Sequence, residues 1–154
     1  MKLHHARTIL AASDPIAEIL RETKTIAVIG LSANPLRASF AVSEYLQRAG
    51  YRIIPVNPNE KEVLGETCYA RMEDIPERID MVDVFRRAEY ILPLAESAIK
   101  VGAKTLWLQL GIEHAAAARL AYRAGLNVVE DACLLIEHKK RRPLQTPPMT
   151  APSP

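Results

Sequence analysis

A chain of 154 residues, 49% of them hydrophobic and 25% charged, fits one globular domain with a single core. Its net charge of +2 makes no electrostatic case for nucleic acid or an anionic membrane, and no apolar stretch approaches the length that spans a bilayer. The N-terminal MKLHHARTIL lacks the long apolar region of a secretory signal, and Cys68 and Cys133 are too few for a disulfide framework and not spaced as metal ligands. The chain reads as cytoplasmic, with both thiols reduced.

In chain order, Asp14 and Pro15 mark the start of a helix over about 14–23, with Asp14 as its N-cap. TIAVIG, residues 25–30, is an apolar run that ends in glycine and predicts the first strand. In VSEYLQRAGYRIIPV, residues Val42, Tyr45, Leu46 and Ala49 form one apolar helical stripe. Gly50 then supplies a left-handed cap and a second strand follows at once. Residues 57–76 are too polar and broken for a core helix; they predict a loop with a short strand or turn, pinned by Val63, Leu64, Tyr69 and Met72. IDMVDVF, residues 79–85, predicts the third strand. AESAIKVGAKTLWLQL and ARLAYRAGLNVVE repeat the sequence of helix, glycine and strand, with Gly102 and Gly125 as the stops. After His138, a charge run and five prolines carry no apolar periodicity. The folded domain is therefore expected over 1–140 and a disordered Pro-rich tail over 141–154.

The five strands are nearly continuous apolar runs, which predicts a parallel sheet covered by helices on both faces. The fold class is α/β, doubly wound, and right-handed crossovers make the Rossmann-like order 3-2-1-4-5 the simplest arrangement. In such a sheet ligands bind outside the carboxyl ends of the strands. AVIGLSANPLRASF, residues 27–40, keeps one glycine of a dinucleotide turn, Gly30, and puts Ser32, Pro35 and Arg37 where further glycines would stand. A helix starting near Ser39 would turn its free N–H groups to an anion, and Arg37 adds a cation suited to phosphate. The same residues also suit a plain strand-to-helix loop. The second strand ends in PVNPN, without the acid that reads the ribose of NAD. Asn57 tolerates a phosphorylated ribose, and Pro58 offers an apolar wall to an adenine, or a simple turn.

Taken together, AVIGLSANPLRASFAVSEYLQRAGYRIIPVNPN, EVLGETCY, DIPERIDMVDVFRR, KTLWLQLGI and NVVEDACLLIEH resemble the small single-domain CoA-binding protein family. That family is similar in fold to the CoA-binding domain of the succinyl-CoA synthetase alpha subunit. The resemblance spans residues 24–139 and implies a Rossmann-like domain of the NAD(P)-binding type, with coenzyme A or an acyl-CoA lying across the strand ends. It places Gly30, Ser32, Pro35, Arg37 and Ser39 at the phosphates, Asn57 and Pro58 beside the adenosine, and Phe85, Arg86 and Gln109 along the rest of the groove. Glu130 and Ala132 depart from the family, which tends to carry a longer apolar residue and a basic one there.

No histidine pairs visibly with a nucleophile: His4 and His5 lie in an N-terminus expected to be mobile, His114 opens a helix, and His138 borders the tail. The reading is a non-catalytic binder of coenzyme A. An oxidoreductase using an NADP-type dinucleotide is the alternative; it would need a proton donor and a substrate pocket.

Overall fold

Each apolar run escapes water on both sides only inside a covered sheet, and the glycines set where one element stops and the next begins. The computed structural model describes residues 1–4 and 14–142, so most of the expected tail and His5 lie outside the described residues. The elements are β1 (Lys2–His4), α1 (Pro15–Glu22), β2 (Thr25–Ile29), α2 (Ala38–Arg48), β3 (Arg52–Val56), β4 (Glu62–Val63), β5 (Glu66–Thr67), β6 (Met81–Val84), α3 (Ile91–Lys100), β7 (Thr105–Leu108), α4 (Ala115–Arg123), β8 (Asn127–Glu130) and α5 (Leu134–Arg141). No helix among the described residues is long and apolar enough to cross a membrane.

The α/β class is as expected, but the strand order is not. The six-stranded sheet runs β1-β8-β7-β6-β2-β3, so the five parallel strands lie in the order 2-1-3-4-5 instead of 3-2-1-4-5. Pro55 supplies the reason. It has no N–H to give, and its carbonyl points away from β2 to accept the N–H of Tyr69 at 3.0 Å. A further strand on that side would meet a missing donor, so β3 is an edge. The loop at Tyr69 closes this edge, returning a carbonyl to the N–H of Asn57 at 2.9 Å, and β6 docks on the other flank of β2.

The sixth strand is also unforeseen. β1 pairs antiparallel with β8 in the register Lys2 to Glu130 and His4 to Val128. An ion pair from Lys2 to Glu113 at 3.1 Å and a hydrogen bond between His4 Nε2 and Glu130 Oε2 at 3.3 Å hold it, so His4 belongs to the sheet and not to a mobile terminus.

The strands alternate their side chains between two cores. On one face Ile29, Val56, Val84 and Leu108 pack under α3 and α4, where Ala95, Ala98, Ala117 and Ala121 let the helices approach closely. On the other, Ile26, Val28, Ile53, Met81 and Trp107 meet Ile16, Ile19, Val42, Leu46 and Leu134 from α1, α2 and α5. His138 is part of this second layer: it is 5% exposed, and its Nδ1 shares a 2.8 Å hydrogen bond with the Tyr45 hydroxyl. The polar segment after β3 forms the β4–β5 hairpin, pinned by buried Val63 and Met72, as its composition predicts.

Asp14 joins the start of the domain to its last helix. Its Oδ1 accepts the N–H of Ile16 at 3.0 Å and of Ala17 at 3.4 Å, while its Oδ2 meets Arg141 Nε at 2.6 Å. The Arg141 hydrogen bond holds the Asp14 carboxyl below the usual carboxylate range. We expect Asp14→Ala to lower stability by about 1 to 2 kcal/mol, chiefly through the lost cap, and Asp14→Asn to recover most of it. Urea midpoints at unchanged slope check both; equal losses in the two variants would assign the effect to the ion pair instead.

Candidate functional site

The order of the sheet reverses between β2 and β6, so the loops leaving these strands diverge and open a crevice at their carboxyl ends. Gly30 sits at its floor with φ +85°, and a Cβ there would meet the Phe85 carbonyl oxygen at 2.9 Å. Both backbone donors at this contact are bonded: the Gly30 N–H donates to Val56 O at 2.8 Å, and the Phe85 N–H to Ile29 O at 2.9 Å. Glycine is required twice, for its conformation and for its missing side chain.

The loop from β2 to α2 is built by its own side chains. The Ser32 N–H donates to Ser39 Oγ at 3.0 Å, the Asn34 N–H to Ser32 Oγ at 3.0 Å, and the Leu36 N–H to Asn34 Oδ1 at 3.0 Å. Ser39 is buried as a brace, whereas Pro35, Leu36 and Arg37 are exposed. Arg37 occupies the N-cap position of α2, yet no side chain caps that helix. The Phe40 N–H turns back to Arg37 O at 3.1 Å, so the N–H groups of Ala38 and Ser39 are the ones left for an anion, beside a guanidinium.

Two cavities flank Arg86, which lines both. The first, about 300 Å³, is walled by Gly30, Val56, Pro58, Met72, Tyr90 and Leu94. The second, about 680 Å³, includes Val42, Phe85, Gln109, Leu110, Ile112 and Ile136. The Arg86 guanidinium lies 4.3 Å from the centroid of the Tyr90 ring, a stacking contact that fixes the cation between them. The structure thus gathers Gly30, Pro58 and Arg86 into one cavity and Phe85, Arg86 and Gln109 into the next, with Ser32, Pro35, Arg37 and Ser39 in the loop leading to α2. Asn57 lines neither. Its Nδ2 donates to Leu31 O at 3.0 Å and its Oδ1 accepts the Asn59 N–H at 2.9 Å, so it ties the loop after β2 to the loop after β3.

Four residues contribute in ways that sequence reasoning did not foresee. Asp83, in the middle of β6, is wholly buried; one oxygen accepts from Gln109 Nε2 at 2.7 Å and the other has no partner among the described residues. Burial pushes its carboxyl up to about 7, against the opposing pull of the Gln109 bond. The acid in the middle of IDMVDVF was the available signal. Tyr90 carries Arg86, and an aromatic four residues after an arginine in a loop gives no sequence cue. Glu130 and Asp131 knit the rim: the His114 N–H donates to Glu130 Oε1 at 2.9 Å, and the Gly111 N–H to Asp131 Oδ1 at 2.7 Å. The departure at Glu130 is therefore structural.

The CoA binding domain family matches residues 24–139 of the chain. The uncharacterized protein YneT of Bacillus subtilis (strain 168) is 41% identical over 123 residues, 80% of this chain and 91% of that protein. A hypothetical protein from Pyrococcus horikoshii OT3 superimposes with a TM-score of 0.79 at 41% identity, covering 81% of this chain and 88% of the other. The ADP-forming acetate–CoA ligase II of Archaeoglobus fulgidus is 31% identical over 83 residues, which is 53% of this chain and 12% of the ligase.

Replacing Gly30 with Ala is expected to cost on the order of 1–3 kcal/mol, since the added Cβ needs both the left-handed conformation and room at the Phe85 carbonyl. Thermal unfolding checks it, and wild-type stability would show that the two loops separate freely. For Asp83 the sign is set by a raised pKa. From an ordinary 3.8 to about 7, the unfolded chain releases a proton that the fold retains. Stability therefore falls as pH rises through that window, and the cost is complete above it. Asp83→Asn keeps an acceptor for Gln109 and should stabilise the protein at pH 8 by an amount on the order of a few kcal/mol. The gain should vanish toward pH 4, as denaturant titrations at the two pH values would show.

Proposed function

The chain belongs to the CoA-binding domain family, and from that premise we propose that it is a non-catalytic binder of coenzyme A or an acyl-CoA. The observation that carries this reading is the pair of cavities meeting at Arg86 beside the uncapped start of α2. A ligand with an anionic middle and two less polar ends fits that order. The diphosphate goes to the α2 N-terminus, Arg37 and Arg86. The adenosine lies against Pro58 in the first cavity, and the pantetheine arm runs past Phe85 and Gln109 in the second. Asn57 leaves the end of β3 neutral, which suits the ribose phosphate of CoA better than the free diol of NAD.

A binding role without chemistry is supported by what the histidines do. His4 pairs with Glu130, His114 Nδ1 accepts the Ala117 N–H at 3.0 Å to cap α4, and His138 shares its bond with Tyr45. Each of these three serves the fold, and among the described residues no histidine lines either cavity.

Coenzyme A at about a hundred times its dissociation constant should stabilise the fold by roughly 2.7 kcal/mol, a melting shift on the order of 5–10 °C, while NAD at the same concentration shifts little. Arg37→Ala should weaken CoA binding by about 1.5 to 3 kcal/mol in titration calorimetry, and Arg123→Ala, on the exposed end of α4, should not. Equal shifts with CoA and NADP would favour the dinucleotide enzyme, and no shift with millimolar CoA would overturn the reading.

A further inference from the structure

The second cavity is larger than the first and less polar, with Arg86 and Arg87 among its lining. Val42, Phe85, Ile112 and Ile136 make much of its wall, and two large apolar residues stand in water on its lining, Leu110 at 67% exposure and Ile136 at 45%. Isolated exposed leucines mean little, but two around one apolar concavity mark a surface awaiting cover. The concavity holds about 680 Å³, within the range of small-molecule sites. A protein partner would bring a broad, flatter contact, of which this groove would be a small part. Arg86 lines both cavities, so a ligand whose anionic part lies at that cation is within reach of this groove.

One polar atom on the wall sets the orientation. Gln109 is 4% exposed, and one of its two amide N–H groups donates to Asp83 Oδ1 at 2.7 Å. The amide carbonyl is left without a partner among the described residues, on a cavity wall that is otherwise mainly apolar. That oxygen is not among the buried polar atoms left without a partner, so it keeps contact with solvent at the groove and is open to accept from a ligand, for instance an amide N–H in a flexible arm. Beyond it the wall at Leu110, Ile112 and Ile136 offers only apolar contact.

We propose that this groove selects acyl-CoA thioesters with an apolar acyl chain over free coenzyme A, and that Leu110 and Ile136 are its specificity-determining residues. The proposal rests on the CoA reading above and deepens it. Gln109 accepts an amide N–H of the arm, held in place by Asp83 acting as a positioning residue. The acyl chain then leaves water against Ile112, Leu110 and Ile136, closing the patch that the unliganded protein exposes.

The test is a set of dissociation constants for CoA, acetyl-CoA and hexanoyl-CoA at one salt concentration, for the wild type, Leu110→Asp and Ile136→Asp. Both residues are exposed, so the variants are expected to fold, and circular dichroism confirms it. Each fully buried methylene is worth roughly a three- to fourfold gain in affinity, so the four that separate hexanoyl from acetyl should give at least about a tenfold gain even when half buried. The ratio is read within each protein, and either aspartate should collapse it to within about twofold. If CoA binds and the three ligands bind equally, the acyl groove is refuted while the CoA reading stands; if none binds, both fall. Sedimentation of the wild type supplies the remaining outcome. A dimer that Ile136→Asp dissociates would give the groove to a second copy of the chain and overturn the proposal.

Discussion

The contact between Gly30 and the Phe85 carbonyl is the constraint on which the site depends. β2 and β6 are neighbours along their whole length, with Ile29 in register with Val84, and the backbones that leave them stay in touch for one residue more. After that they part, one toward the α2 side of the sheet and one toward the α3 side. The crevice is therefore deepest where two backbones meet, and its floor carries no side chain. Any residue other than glycine would lift that floor or separate the strands, and both cavities would change together because Arg86, whose side chain would lie 3.1 Å from the added Cβ, lines each of them.

A second constraint lies beneath the first. Asp83 sits between Val28 and Trp107 in the register of the sheet, in a layer otherwise filled with apolar side chains. Burying a carboxyl with one orphan oxygen is costly, and the protein meets the cost in part by holding the group near its neutral form. What the fold gains is a fixed Gln109. Without Asp83 the amide would be free to rotate, and its carbonyl would have no set direction at the groove wall. A destabilising residue in the core and a polar anchor in the site are thus one arrangement seen from two sides.

The order of helices and strands was legible because its signals are local. Gly50, Gly102 and Gly125 stop helices, and each apolar run after them has no choice but to become a covered strand. The order of those strands in the sheet was written less plainly, in the one missing N–H of Pro55, and periodicity does not register a missing donor. β1 was illegible for another reason: three residues have little pattern of their own, and its pairing depends on acids at positions 113 and 130 that only the fold brings near. At the site, charge and conformation were readable in Gly30 and Arg37, because turn chemistry and cation type do not depend on distant partners. Asp83 and the Arg86–Tyr90 stack were not, since each takes its meaning from burial or from a neighbour's orientation.

Asn57 shows how the same residue can be read rightly for charge and incompletely for role. The sequence argument valued it as a neutral group where a dinucleotide site would have an acid. Its side chain is in fact consumed within the protein, as donor to Leu31 O and as acceptor from the Asn59 N–H. An aspartate would keep the acceptor and lose the donor, setting a carboxylate oxygen against the Leu31 carbonyl oxygen. The loop that begins at Gly30 would lose its tie to β3 before any ribose was read. The neutral end of β3 therefore needs no ligand to explain it. It follows from a brace that only an uncharged amide can complete, so the geometry of the loop and the exclusion of an acid are enforced by one pair of hydrogen bonds.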